Sequence, residues 1–332
     1  MFSTPAVVGD VVCVGSCAGI FFALDRVTGQ PRDQCNVSAD GVRRQFHGDA
    51  LLDGELLLIG SDTDEGDTAY VFAFERGTAK VRWRKAVGSG VMSDLAHWKG
   101  RAYAVTVMDE LICFDPASAA SYWTYRPPAP AYEYRGSAPV VVGDRVLFAD
   151  HDGTIRGFEA SSGRLLWEAP QVDRLTTWMV GVDSSVLFMR GTDALVTVDP
   201  RTGREQRRRS VSGGPYSGPI TLIGDSLLLL TGPKTLTAFD LERDRVRWSH
   251  PATQEWTSSR PFVWRDMALA ADHGRLIAYG LADGALRWAH ELRGTARAIG
   301  THGDTLYVGM LKGQVHALVD SSSFRSRRNG LD

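Results

Sequence analysis

The stretch Gly157-Phe158-Glu159-Ala160-Ser161-Ser162-Gly163-Arg164-Leu165-Leu166-Trp167 decides the fold, because its frame returns along the whole chain. A small residue opens it, an acid follows two positions later, a glycine six positions later, and a tryptophan closes it at ten. Ala73 and Trp83, Cys113 and Trp123, Ala238 and Trp248, and Ala278 and Trp288 stand in the same relation. Glu75, Asp115, Glu159 and Asp240 supply the acid, Gly280 departs from it, and Gly284 repeats the glycine of Gly163. Three more copies keep the front of the frame A-x-D-x-x-T-G-x-x-x-W and lose its ring: Ala23, Asp25, Thr28 and Gly29; Thr197, Asp199, Thr202 and Gly203; and Ala317. Asp33, Arg207 and Arg327 take the tryptophan position there, so eight repeats follow one another at intervals of 39 to 50 residues. Repetition at such a period fixes an architecture before any local signal does.

A second marker precedes each frame, a short polar turn ahead of an apolar run: Gly9-Asp10, Asp53-Gly54, Lys99-Gly100, Gly143-Asp144, Asp183-Ser184, Gly224-Asp225, Arg265-Asp266 and Gly303-Asp304. Pro5, Pro139, Pro219 and Pro261 stand just upstream, at the start of a strand, where a missing N–H is tolerated. The fourth repeat then divides into four strands, 138–142, 145–149, 154–159 and 165–167, with turns at Gly143-Asp144, Asp152-Gly153 and Ser161 to Gly163. Turn signals every 8 to 12 residues between β-branched or aromatic runs mark an all-β chain, and no helix-period segment with caps is found.

A four-stranded unit of this size cannot bury both its faces alone, and radial stacking buries them. The expected fold is therefore an all-β, eight-bladed β-propeller of four-stranded antiparallel blades. Residues 1–320 form a single domain with repeats at about 4–33, 46–83, 91–123, 137–167, 176–207, 217–248, 258–288 and 296–327, and 321–332 form a polar tail. The tryptophans Trp83, Trp123, Trp167, Trp248 and Trp288 are expected to lie flat in the grooves between blades. Ala73, Cys113, Gly157, Ala238 and Ala278 leave room for them, and Gly163, Gly203 and Gly284 permit the tight turn.

This tryptophan-docking frame resembles the repeat of the pyrroloquinoline-quinone (PQQ)-like propellers, over essentially the whole chain from Thr4 to about Asp320. Within that superfamily it looks most like the compact eight-bladed branch, which includes BamB-like outer-membrane assembly lipoproteins and the sensor propellers of some bacterial Ser/Thr kinases. The resemblance implies a non-enzymatic interaction scaffold or ligand-sensing domain. The alternative is a relative of the quinoprotein PQQ-dependent dehydrogenases, which are similar to one another in having adjacent cysteines and a calcium held by Glu, Asn and Asp. The four cysteines here, Cys13, Cys17, Cys35 and Cys113, do not adjoin, and the sole asparagines are Asn36 and Asn329. No cofactor, metal or catalytic residue is therefore expected.

Composition narrows the partners. A formal net charge of -2 supplies no overall basic field to draw in nucleic acid, so the expected partner is a protein, or a small ligand on the propeller face or in the axial channel. The chain carries no stretch long and apolar enough for a membrane span, and its first residues lack the pattern of a signal peptide. As written it is expected to be soluble and unexported, although members of the resembled family are often extracytoplasmic or membrane-anchored.

The remaining signals have bland expectations. Asp62-Thr63-Asp64-Glu65-Gly66-Asp67 alternates carboxylates as a calcium loop does, but lacks the glutamate at the twelfth position; a solvated acidic tip is expected. His151 and His273 occupy equivalent turns and are expected to hydrogen-bond their own hairpins. Arg207-Arg208-Arg209 is expected to be a frayed, solvated outer strand. Trp178, Trp256 and Trp264 fall outside the docking frame; Trp178 and Trp264 lie near the axis, with core packing the expectation. The eighth repeat has only Ser321 to Arg328 left for a fourth strand. Either the chain once extended further at its amino end, or this blade offers an open edge that can accept a partner's strand.

Overall fold

The computed structural model describes residues 3–64, 68–128, 138–151, 153–170, 179–216, 218–251, 260–272 and 274–319. Its strands group into seven four-stranded sheets and an eighth with three described strands, all antiparallel, the blades of an eight-bladed β-propeller. Blade 1 comprises Ala6–Val8, Val11–Gly15, Ile20–Asp25 and Pro31–Asn36, and blade 6 comprises Thr221–Ile223, Leu227–Gly232, Thr235–Asp240 and Arg245–Pro251. In each, sequence order equals spatial order.

Burial explains which runs became which strand. In blade 6 the second and third strands are buried at every residue, while Arg245–Pro251 alternates exposed and covered positions. Central strands sandwiched between neighbouring blades need apolar or small residues on both faces, whereas the outermost strand needs them on one. The core is accordingly a series of layers between blades. Val11 and Phe21 of blade 1 pack with Leu57, Phe72 and Phe74 of blade 2, and Phe21 stacks on Phe74 at 3.9 Å. Leu147 and Ile155 of blade 4 pack likewise with Phe188 and Val196 of blade 5.

The topology divides the molecule into two faces. One carries the turns between first and second strands and between third and fourth strands; we call it the turn face. The other carries the turns between second and third strands and the connections from blade to blade; we call it the loop face. On the turn face, every first turn opens with a left-handed residue: Gly9, Gly54, Gly143, Gly224 and Gly303 in five blades, and Lys99, Asp183 and Arg265 in the others. On the loop face, Arg44–Gln45 in the connection between blades 1 and 2 pairs with Asp62–Thr63 in the insertion of blade 2, forming an added two-stranded ribbon.

That ribbon corrects one expectation. Asp62 and Thr63 are buried, at 4% and 7% exposed, so the run does not begin as a solvated tip; Asp64 is exposed as expected, and 65–67 lie outside the described residues. The ring meets itself where Ala296–His302 of blade 8 contacts Ala6–Val8 of blade 1. There Gly300 runs so close to the Pro5 carbonyl that no Cβ would fit. The tail Ser321 to Arg328 lies outside the described residues.

Candidate functional site

Two places gather the residues with chemistry to spare: the seams between blades, on the turn face, and the mouth of the axial channel, on the loop face.

At the seams each tryptophan pairs in register with the small residue ten positions ahead: Ala73 with Trp83, Cys113 with Trp123, Gly157 with Trp167, Ala238 with Trp248 and Ala278 with Trp288. A β-bulge follows every one of these pairs, and the extra residue twists the outer strand and re-aims its side chain. The ring thus lies over the small residue, so closely that a Cβ on Gly157 would overlap Trp167. Its indole N–H reaches into the next blade, donating to Pro116 O at 3.1 Å from Trp83, Ala160 O at 3.2 Å from Trp123, Pro200 O at 3.0 Å from Trp167 and Leu281 O at 3.0 Å from Trp248. Trp288 is half-buried against the core between blades 7 and 8.

The frame's glycine has a second role that spacing did not reveal. Gly163, Gly203 and Gly284 have φ between 69° and 73°, as their turn requires. A Cβ on any of them would also overlap the ring docked from the preceding blade, Trp123, Trp167 and Trp248 respectively. The glycine is the floor of its neighbour's slot.

Where the ring is missing, a polar contact takes its place. Asp33 pairs with Ala23 in register, and its Oδ2 accepts from the Ala79 N–H of blade 2 at 2.9 Å. Arg207 pairs with Thr197 and reaches Asp244 of blade 6 at 2.5 Å. Asp244 occupies the glycine position of that turn, with φ of 53°, and Arg209 joins it at 2.7 Å. The basic run is therefore not frayed. Strand Glu205–Ser210 is paired throughout with Ala194–Val198, and two of its three arginines are committed to the next blade. Arg327 lies outside the described residues.

The loop face carries charge in buried or half-buried pairs. Five residues ahead of the first turn, blades 2, 3 and 7 present Asp49, Asp94 and Arg260 to the channel mouth; Thr4, Ala138, Pro219 and Ala298 hold the equivalent place in blades 1, 4, 6 and 8. The Thr4 N–H donates to Asp49 Oδ1 at 2.8 Å, and the Asp49 N–H to Asp94 Oδ1 at 2.7 Å. Arg260 pairs with Asp49 at 2.9 Å and with Asp94. Blades 3 and 7 are diametrically opposite in an eight-membered ring, so this guanidinium bridges the channel mouth. Burial, and then the Asp94 charge, push the Asp49 carboxyl above its usual range, with Arg260 opposing them.

His151 also departs from expectation. Its Nδ1 meets Asp109 Oδ2 of the preceding blade at 2.5 Å instead of its own hairpin, and burial raises Asp109 against the pull of that imidazole. Nearby, Arg156 pairs with Asp150 and, at 2.7 Å, with Glu168. Trp264 is packed in the core and donates to Gly303 O at 3.1 Å; His273, Trp178 and Trp256 lie outside the described residues. A cavity of about 400 Å³ at the seam between blades 8 and 1 is lined by Val12, Val14, Phe22, Leu24, Tyr307 and Ala317, among others. Among the described residues, no group of three or more His, Cys, Asp or Glu side chains is arranged to hold a metal ion, and no helix is long and apolar enough to cross a membrane.

Against this geometry stand the similarities to known proteins. A family profile described as outer membrane protein assembly factor BamB matches residues 43–177 and 171–305. The outer membrane protein assembly factor BamB of Burkholderia pseudomallei is 24% identical over 98% of this chain and 75% of its own length. The Yersinia pestis protein of the same name is 25% identical over 86% of this chain and 73% of its own length. The crystal structure of BamB from Moraxella catarrhalis superposes with a TM-score of 0.72 at 18% identity, covering 94% of this chain and 92% of that one; at that identity the likeness speaks for fold alone.

Proposed function

The chain belongs to the family described as outer membrane protein assembly factor BamB, and from that premise we propose that it is a non-enzymatic interaction propeller whose loop face receives a protein partner. The observation that carries the choice of face is Arg260. It spans the channel mouth to Asp94 and Asp49, so a small ligand entering the axis there would have to displace a guanidinium from two carboxylates. Breaking a half-buried, doubly paired charge is costly. A protein surface laid over the mouth leaves the pairs intact and meets two carboxylates and a guanidinium, which favours selective docking over tight apolar burial.

The turn face is a poorer platform. Its side chains are engaged in the seams, and its turns repeat from blade to blade, whereas the loop face carries the inserted ribbon and the long connections. The dehydrogenase alternative requires adjacent cysteines, which the sequence lacks.

Photo-crosslinking in cells of the source organism tests the assignment. A crosslinker placed at Ala18 or Lys234, exposed on the loop face, is expected to trap a protein, and one at Glu242, exposed on the turn face, is not. Adducts confined to the turn-face position would reverse the assignment of face. Absence of protein adducts at all three would refute the interaction role.

A further inference from the structure

The joint between blades 8 and 1 differs from the other seams. The third strand of blade 8, Val315–Val319, pairs with Thr305–Met310 on one side and with no described strand on the other. Its frame residue, Ala317, is exposed, whereas Ala73, Cys113, Ala238 and Ala278 are wholly buried beneath their rings. Gly29, the frame glycine of blade 1, has φ of 70° and nothing within 4 Å of a built Cβ. At Gly163, Gly203 and Gly284 the same place is filled by a ring.

The other parts of an indole slot are present there. Tyr307 lies opposite Ala317 as Tyr103 lies opposite Cys113, and Tyr103 packs on the docked Trp123 with centroids 5.9 Å apart. In three filled slots the carbonyl that follows the frame acid accepts the indole N–H: Pro116 O, Ala160 O and Pro200 O. In blade 1 that carbonyl is Arg26 O, after Asp25. Ala317, Gly29, Tyr307 and Arg26 all line the cavity of about 400 Å³ at this seam, a size suited to a bound group. Its floor is a glycine, where blade 6 sets Asp244 for Arg207, so the slot suits a ring rather than a guanidinium.

We propose that the seam between blades 8 and 1 is a docking site for an extended strand of another protein, one that carries a tryptophan beside an acidic residue. The strand adds to the edge of Val315–Val319 through main-chain hydrogen bonds. Its indole lies over Ala317 and against Gly29 and donates to Arg26 O, completing this joint as Trp123 and Trp167 complete theirs. Val27 and Val319, 86% and 51% exposed, give the site an apolar rim. The acidic residue answers the Arg26 side chain, which lines the cavity and has no ion pair among the described residues, so charge sets the register of the incoming strand. This contact is separate from the loop face and does not depend on what docks there.

A fluorescein-labelled peptide with the sequence of residues 163–170, which sets Glu168 next to Trp167, serves as the probe, and its binding to the full chain is read by fluorescence anisotropy. Saturable binding is expected, and alanine in place of the peptide's tryptophan should abolish it. Gly29→Ala sets a Cβ where the ring lies and should weaken binding about tenfold. Gly224→Ala, also at a left-handed residue with open space around it, should leave binding unchanged, and Arg26→Glu should weaken it by a smaller factor. Should Gly29→Ala not fold, Ala317→Leu fills the slot from an exposed position without backbone strain and should give the same loss. No saturable binding, binding indifferent to the peptide's tryptophan, or equal losses from the two glycine variants would overturn the proposal. So would slow hydrogen exchange at the edge-facing amides of Val315–Val319 in the free chain, which would mean that the edge is already paired. Dimerisation of the chain abolished by Gly29→Ala would overturn it too, by giving the slot to a second copy.

Discussion

The two faces of the propeller solve different problems with the same eight repeats. On the turn face, position largely dictates chemistry: a ring, a small residue beneath it and a glycine floor recur at the Trp123, Trp167 and Trp248 seams, because each must close on the next blade. On the loop face one repeat position carries Thr4, Asp49, Asp94, Ala138, Pro219, Arg260 and Ala298, with no type common to the blades. The contrast teaches that periodicity marks what holds the ring together, and its breakdown marks where the molecule differs from other rings.

The largest effect that tests this contrast is expected at a seam. Trp167→Ala removes a ring packed between blades and leaves Pro200 O without its donor, and should cost about 3–5 kcal/mol in chemical unfolding. An unchanged midpoint would mean that the rings do not hold the seams. Next comes a pair of glycines on the same face. Gly203→Ala meets both a left-handed φ of 70° and the Trp167 ring, whereas Gly224→Ala meets only the φ of 57° with nothing within 4 Å. Conformational strain alone should cost about 1 kcal/mol, and overlap should add roughly 1–3 kcal/mol at Gly203. Equal costs would remove the glycine floor from the account.

A polar seam should be weaker. The Arg207 and Asp244 side chains are 50% and 39% exposed, so solvent screens their pair, and Arg207→Ala should cost less than about 1 kcal/mol. A loss as large as that of Trp167→Ala would show that the substitute contact carries the whole seam.

The smallest effects differ in sign between the faces. On the turn face, Asp240 is held well below the usual carboxylate range, first by Arg247 and then by the Arg243 N–H. Its folded value lies under its unfolded one, so its contribution is present at neutral pH and is lost as pH falls through the folded value. Asp49 lies on the other side: its folded value is raised, so its contribution is present in acid and is lost as pH rises through that value. At pH 7, Asp240→Asn should lower the melting temperature, while Asp49→Asn should leave it unchanged or raise it. Shifts of the same sign would break the distinction.

The fold was legible because the seam's requirements are local. A bulky ring, a small partner ten residues earlier and a turn between them are all written within a single hairpin. The polar seams were harder. Arg207 and Asp244 lie 37 residues apart, and a run of three arginines on an outer strand reads as solvated unless its partner in the next repeat is aligned with it. Asp62 misled in the same way, since an acidic run signals a surface while the ribbon that buries its first residue is an insertion peculiar to one blade. The channel mouth was not legible at all: Arg260 and Asp94 are 166 residues apart and are brought together only by closure of the ring. His151 shows the intermediate case, in which the right turn was identified but the bond went to the neighbouring blade.

The directionality of the seams has one more consequence. Among the described residues, blades 1 to 6 each offer an outer-strand group forward to a turn receptor of the next blade, so they behave as a sequence of plugs and sockets. Were these couplings all alike, a folding chain could skip a blade and still satisfy every joint. The Asp33–Ala79 and Arg207–Asp244 couplings are keyed differently from the tryptophan ones, and a tryptophan presented to Asp244 finds a side chain where its floor should be. These two odd joints act as an address code, and they make the blades non-interchangeable: a chain with blades 4 and 5 exchanged would present Trp167 to Asp244 and Arg207 to an unmatched socket.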